Sequence, residues 1–394
     1  MDAAESAKPG VSLLNNPRAR AIAYQALLCA AIAALAYGAI TTASANLKRA
    51  KIASGFGFWN DTAGFDISQT LIEYSITSTY GRAFWVGLLN TLLVAAIGIV
   101  LATVLGFAVG IARLSRNWLV SRLAGLYVEV IRNLPLLLQL LFWYNAVLNA
   151  LPERLQDSIR IPGGGYLNRR GLFLPEPVFG SGAGIALSAL VFGIIAAIAY
   201  RSWAKRRRER TGFAPPVTVV VLALVLAPPL VALALAGFPV AFDYPQPGRF
   251  NIHGGLEILP EFIALLIGLS TYTAAFIAEA VRAGLLAVPR GQTEAAQSLG
   301  LSAWRTVRFV VIPQAMRVIV PPLTSQYLNL TKNSSLAVAI GYPDLVHIFA
   351  GTVLNQTGQA VEVIALTMAV YLSISLFTSL LMNIYNRRVA IVER

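Results

Sequence analysis

Eight apolar runs dominate this chain, at 21–43, 84–112, 123–149, 183–200, 216–239, 260–281, 316–341 and 361–384. Roughly 20 apolar residues let a helix cross the hydrocarbon core of a bilayer. Inside that core every backbone N–H and C=O needs a partner within the chain, which favours helices for runs of this length. The expected fold is therefore all-α, a polytopic membrane protein with about eight transmembrane helices. Composition agrees, because only 12% of the residues are charged against about 25% in soluble domains. The first run ends near "ASA" at 43–45, which resembles a cleavage site. It is longer than the apolar region of a signal peptide, about 7–15 residues, so an uncleaved anchor is expected.

The net charge of +13 raises the question of nucleic acid, but the distribution of the charge answers it differently. With the N-terminus placed inside, twenty of the 31 Lys and Arg fall in five segments: the N-terminal tail with Lys8, 113–122, 201–210, 282–317 and the C-terminus with Arg394. Nine fall outside, and Arg132 and Lys332 fall within runs. An excess of basic residues marks the cytoplasmic side of helical membrane proteins. Both termini are thus expected in the cytoplasm, with membrane lipid and not nucleic acid as the environment of the chain. "WAKRRRER" at 203–210 reads as a topogenic cytoplasmic loop, with a nucleic-acid or anionic-lipid patch as the other reading. The outside segments 44–83 and 150–182 are rich in Gly, Pro and polar residues and are expected to form small ordered caps.

One cytoplasmic segment is unusually polar: "RGQTEAAQSLGLSAWRTVRFVVIPQA", Arg290 to Ala315. A short helix is expected from Gln292 or Thr293, with Glu294 in its first turn. Gly300 is placed to end it in the left-handed conformation. Ser302 can cap a second helix that ends near Pro313. Two helices would then meet at a glycine, with small Ala295 and Ala296 allowing another surface to approach. Residues alone leave a solvated connector and a docking element equally open.

Ionisable groups inside spans are costly and mark pairs or cavities. Glu129 and Arg132, and likewise Glu279 and Arg282, are spaced i, i+3 on one helix face and are candidate gate or structural pairs. Thr271, Tyr272 and Thr273 lie at mid-membrane depth. Gln326, Asn329 and Asn333 are spaced i, i+3, i+7, with Lys332 adjacent. That polar face suits a translocation path or an amino-acid ligand; hydrogen bonding between helices is the alternative. Pro321 and Pro322 are expected to break or kink their helix. His253 and His347 are isolated, so no metal site and no catalytic residue is assigned. A P-loop needs a lysine after glycine, and the five lysines follow Ala7, Leu47, Ala50, Ala204 and Thr331. Any ATP-driven work must therefore be done by another chain.

Several segments together carry a family resemblance. "STYTAAFIAEAVRAGLLAVPRGQTEAAQSLG" (270–300), "VIPQAMRVIVPPL" (311–323), "LTKNSSLAVAIG" (330–341), "GLLNTLLVA" (87–95) and "VIRNLPLLLQLLFWY" (130–144) resemble, in order and spacing, the membrane subunits of ABC importers of the polar amino-acid permease family. The long form resembles a permease subunit of general L-amino acid (glutamate, glutamine, aspartate, asparagine) importers. The resemblance implies a bacterial inner-membrane protein with a type I importer core of five helices and no enzymatic activity of its own. It implies an ABC ATPase dimer as partner, carrying ATP and Mg, with a second, different permease subunit and a periplasmic amino-acid-binding protein. It makes Gly291, Glu294, Ala295, Ala296 and Gly300 the ATPase-coupling residues, laid as a helix into a groove of the partner. The implied division is 1–83 for the tail, extra helix and periplasmic loop, 84–145 for the first core part, 146–256 for an insertion with two extra helices, and 257–394 for the second core part with the coupling loop 284–315. A secondary transporter driven by an ion gradient and a membrane-embedded enzyme remain the alternatives.

Overall fold

A computed structural model describes residues 17–49, 55–180, 183–213, 215–235, 240–248 and 251–389. Lys8 and Arg394, counted above as cytoplasmic charges, and 236–239 of the fifth run lie outside the described residues. The chain is mostly helical. In order come α1 (Pro17–Arg49), α2 (Tyr80–Ala112), α3 (Trp118–Asn133), α4 (Leu136–Ala150), α5 (Ala183–Thr211) and α6 (Val217–Leu235). There follow α7 (Pro260–Leu286), α8 (Arg290–Ser298), α9 (Ala303–Thr306), α10 (Ile312–Asn333), α11 (Leu354–Thr357) and α12 (Ala360–Val389). Among the described residues, seven helical stretches are long and apolar enough to cross a membrane, or eight if α3 and α4 form one broken span.

Three expectations are corrected. The run 123–149 is not one helix: α3 and α4 meet at a 110° bend. Leu134 takes an extended backbone before Pro135, because a proline disfavours the helical conformation in the residue ahead of it. "WAKRRRER" is not a loop but the last turns of α5. Of the break or kink expected at Pro321 and Pro322, the break is absent, since both lie inside α10, which runs on to Asn333. The all-α expectation holds for the spans. The segment between α4 and α7 also holds strands β1 (Ile159–Ile161), β2 (Gly165–Asn168), β3 (Gly171–Leu174), β4 (Glu176–Phe179), β5 (Val240–Asp243), β6 (Gln246–Pro247), β7 (Ile252–His253) and β8 (Leu256–Ile258). They form a four-stranded antiparallel sheet in the order β1-β2-β3-β8 and the pairs β4-β5 and β6-β7. The insertion thus folds back so that β3 pairs with the strand just before α7, in the register Phe173↔Glu257.

The chain divides into two compact units that cut across the sequence segments. One holds residues up to Asn90 and Pro343–Phe377; the other holds Thr91–Tyr342 and residues from Thr378 onward. In the first, residues 55–83 of the cap expected at 44–83 are ordered by aromatic packing, while 44–49 belong to α1 and 50–54 lie outside the described residues. Phe58 is buried and meets Tyr80 edge-on at 5.9 Å, while Phe84 meets Phe349 at 5.2 Å, geometry favoured by the ring quadrupoles. Asp344 is buried there as a helix cap. It accepts from the His347 N–H at 2.8 Å and from the Tyr371 hydroxyl at 3.1 Å. Burial pushes its carboxyl up to about 7, since desolvation penalises the charged form. In the second unit the core is built on α7, where Leu265, Leu269, Ala274, Ala275, Ile277 and Ala278 are fully enclosed. Its neighbours there are α3, α4 and α10.

Candidate functional site

The polar segment is two helices in an elbow. The first begins at Arg290, two residues before the expected start, directly after Pro289. Proline ahead of the first turn gives up an N–H that has no helical partner there. Its end is as the sequence predicts. Gly300 has φ +77°; its N–H donates to the Gln297 carbonyl at 2.9 Å, and the Leu301 N–H donates to that of Ala296 at 3.2 Å. This pair of bonds is the Schellman closure, which satisfies carbonyls that the helix leaves open. Ser302 does precede α9, but its side chain makes no capping bond. Pro313 does not end the second helix. A π-helical turn over Val307–Val311 carries the chain into α10, with Pro313 in that helix's first turn.

Of the coupling candidates, Gly291, Glu294, Ala295 and Gly300 are exposed, whereas Ala296 is buried. Ala296 therefore packs the elbow onto its own chain, and Glu294 and Ala295 form the outward edge. Two large apolar side chains join that edge, Leu299 at 83% exposure and Trp304 at 67%. The Gln314 amide donates to the Gln292 side-chain carbonyl at 3.2 Å, tying α10 back to α8.

Next to the elbow, at the end of α7, the expected pair of Glu279 and Arg282 is formed, at 2.8 Å. Arg113, from the end of α2, also donates to Glu279, and Arg132 reaches the same carboxylate at 3.8 Å. The expected pairing of Glu129 with Arg132 is corrected. Glu129 is exposed, and Arg132 turns instead to Glu279 and to the Phe276 ring, 5.1 Å from its centroid. One carboxylate thus gathers three guanidiniums from three helices.

The mid-membrane candidates divide. Thr271 donates to the Ile267 carbonyl at 2.7 Å within its own helix, and Thr273 is buried. Tyr272 packs its ring 5.0 Å from that of Phe276, so these three residues serve α7 and its packing. By contrast, Gln326 and Asn333 are half-buried and Asn329 and Lys332 exposed. Among the described residues no side-chain hydrogen bond of these four is found. Beside the stripe, α10 packs inward through Leu323, Leu330 and Thr331. Tyr327 meets the Thr103 hydroxyl at 2.9 Å. Hydrogen bonding between helices within this chain therefore does not account for the polar stripe.

The seven or eight membrane-length helices among the described residues define a multi-span membrane protein. The chain belongs to the family described as binding-protein-dependent transport system inner membrane component, which matches residues 189–391. Three relatives are similar over nearly their whole length. It is 49% identical to the general L-amino acid transport system permease protein AapQ of Rhizobium johnstonii, over 97% of this chain and 95% of the relative. Identity is 51% to the putative amino-acid ABC transporter permease protein YhdX of Escherichia coli, over 96% of each chain. With the glutamate/glutamine/aspartate/asparagine transport system permease protein BztB of Rhodobacter capsulatus it shares 41%, over 97% of this chain and 96% of the relative.

Proposed function

We propose that this chain is the permease subunit of an ATP-driven importer that carries L-amino acids, polar and acidic ones among them, across the bacterial inner membrane. The substrate class rests on the names of the three full-length relatives. Coupling rests on one observation: the elbow Arg290–Thr306 presents Glu294, Ala295, Leu299 and Trp304 outward on a helix pair closed by Gly300. That is a surface made for a groove on another protein. The partners are an ATPase dimer holding ATP and Mg, a second permease chain and a periplasmic binding protein. Closure of the ATPase would move the elbow and the spans α7 and α10 attached to it as rigid bodies. Substrate would pass the stripe of Gln326, Asn329, Lys332 and Asn333. Both termini are cytoplasmic.

Uptake by the assembled complex in liposomes tests this reading. Glu294→Lys and Gly300→Pro should each cut ATP-dependent uptake to about a tenth or less, equivalent to roughly 1.4 kcal/mol of coupling, while the chain still inserts. Asn329→Leu should lower uptake with the ATPase still bound. Normal uptake in both elbow variants sinks the coupling role. Uptake driven by an ion gradient with no ATPase subunit present would establish a secondary transporter instead.

A further inference from the structure

The end of α5 carries a charge cluster to which the proposed transport role assigns no part. Residues 201–210 hold six Lys or Arg and one acid, Glu209. The only carboxylate contact of this cluster among the described residues is Lys205 with Glu209, at 4.0 Å and exposed. The charges do not surround the helix evenly. Arg201, Lys205 and Arg208 are spaced i, i+4, i+7 on one face. With Ser202, Pro215 and Val217 they line a concavity between the end of α5 and the start of α6. Arg206 and Arg210 fall on the opposite face.

The packing of the two helices sets the depth of this concavity. A Cβ on Gly193 would collide with the Leu224 carbonyl, so Gly193 and Leu224 lie at the same level. The helices run antiparallel, with residues 212–216 between them in the chain. Seven residues along each from that contact, the start of α6 at Val217 faces Tyr200. Apolar α6 therefore begins where the charges of α5 begin, at the membrane boundary. The last ten residues of α5 project about 15 Å past it, at 1.5 Å per residue. Tyr200 and Trp203 lie at that boundary with their rings 5.5 Å apart, as interfacial aromatics do. Arg207 is placed over the rings of Trp203, at 5.0 Å, and Phe213, at 5.8 Å.

We propose that Arg201, Lys205 and Arg208, with the start of α6, form a binding site for the phosphate headgroup of an anionic phospholipid. Three cations on one face would surround the phosphate. The exposed apolar side chains of both helices, such as Ile195, Ile198 and Leu222, would lie along its acyl chains. The inference rests on α5 and α6 crossing the membrane and is independent of the coupling role of the elbow.

Native mass spectrometry of the assembled complex, titrated with phosphatidylglycerol in a zwitterionic detergent, tests it. Arg201→Gln with Arg208→Gln should weaken lipid retention roughly 25-fold, about fivefold for each basic residue near a headgroup. Arg206→Gln with Arg210→Gln removes the same charge from the other face and should change retention by less than about threefold. The charge-keeping pair Arg201→Lys with Arg208→Lys should retain the lipid, which separates a local charge effect from misfolding. Equal weakening by both glutamine pairs would overturn the site in favour of diffuse attraction. Displacement of the lipid by millimolar glycerol phosphate would make it a pocket for soluble anions. Loss of an associated protein subunit with lipid retention unchanged would make it a protein contact.

Discussion

Three arginines converge on Glu279: Arg282 from the next helical turn, Arg113 from the end of α2 and Arg132 from the end of α3. A single carboxylate leaves this group with excess positive charge, so the cluster holds together only while Glu279 is ionised. Glu279→Gln should therefore cost about 1–2 kcal/mol. That is below the 3–5 of a fully buried pair, because the side chains are partly exposed and partly screened. It should lower the thermal midpoint of the detergent-solubilised chain, whereas Glu129→Gln should leave the midpoint unchanged; equal effects would show that the cluster stabilises nothing. Half of this arrangement is legible in the sequence. Glu279 and Arg282 share a helix face by spacing alone. Arg113 lies 166 residues away, and its only sequence signal is that it and Arg282 both follow apolar runs on the basic side. Glu129 and Arg132 have the same spacing as the true pair, yet Arg132 has a better partner across the helix interface, so spacing proposes pairs and packing chooses among them.

Element boundaries follow the same division between local and tertiary causes. The closure at Gly300 is local, since one residue without a Cβ adopts φ +77° and supplies both Schellman bonds; "SLG" alone is enough to predict it. Leu134-Pro135 is as local a signal, and it separates α3 from α4, though the apolar run around it masks the break. Pro313 does not act as a stop: a π-turn over Val307–Val311 precedes it, and it sits in the first turn of α10, where a proline is tolerated. The strands of the insertion are not legible, being two to four residues long and paired with partners up to 86 residues away, as Leu172 is with Ile258. Gly193 belongs with these hidden features, an ordinary glycine in an apolar run that proves to be where α6 touches α5. Gly193→Val should push the two helices apart and cost about 1–3 kcal/mol. Gly184→Val, with nothing within 4 Å of its added carbon, should be neutral. Thermal unfolding of both variants measures the difference, and an equal loss would mean that close approach does not set the cost.

The topology of the whole molecule turns on the 110° bend between α3 and α4. If the pair crosses the membrane as one broken span, the chain crosses eight times and both termini share a side. If it enters and returns, the number is seven and everything after α4 is inverted. The basic residues argue for the crossing, because only then do 113–122, 201–210 and 282–317 lie together, as the charge bias requires. Inversion would also put the elbow of α8 and α9 outside the cell, away from any source of ATP. Single cysteines in a chain with Cys29→Ala decide between these. Arg116→Cys lies before the bend, Arg160→Cys after it and Gln297→Cys on the elbow, all at exposed positions. In intact cells an impermeant maleimide should label only Arg160→Cys, and the other two should react only after the membrane is opened. Labelling of Gln297→Cys from outside would overturn the crossing and, with it, the proposal that the elbow is the contact with an ATPase.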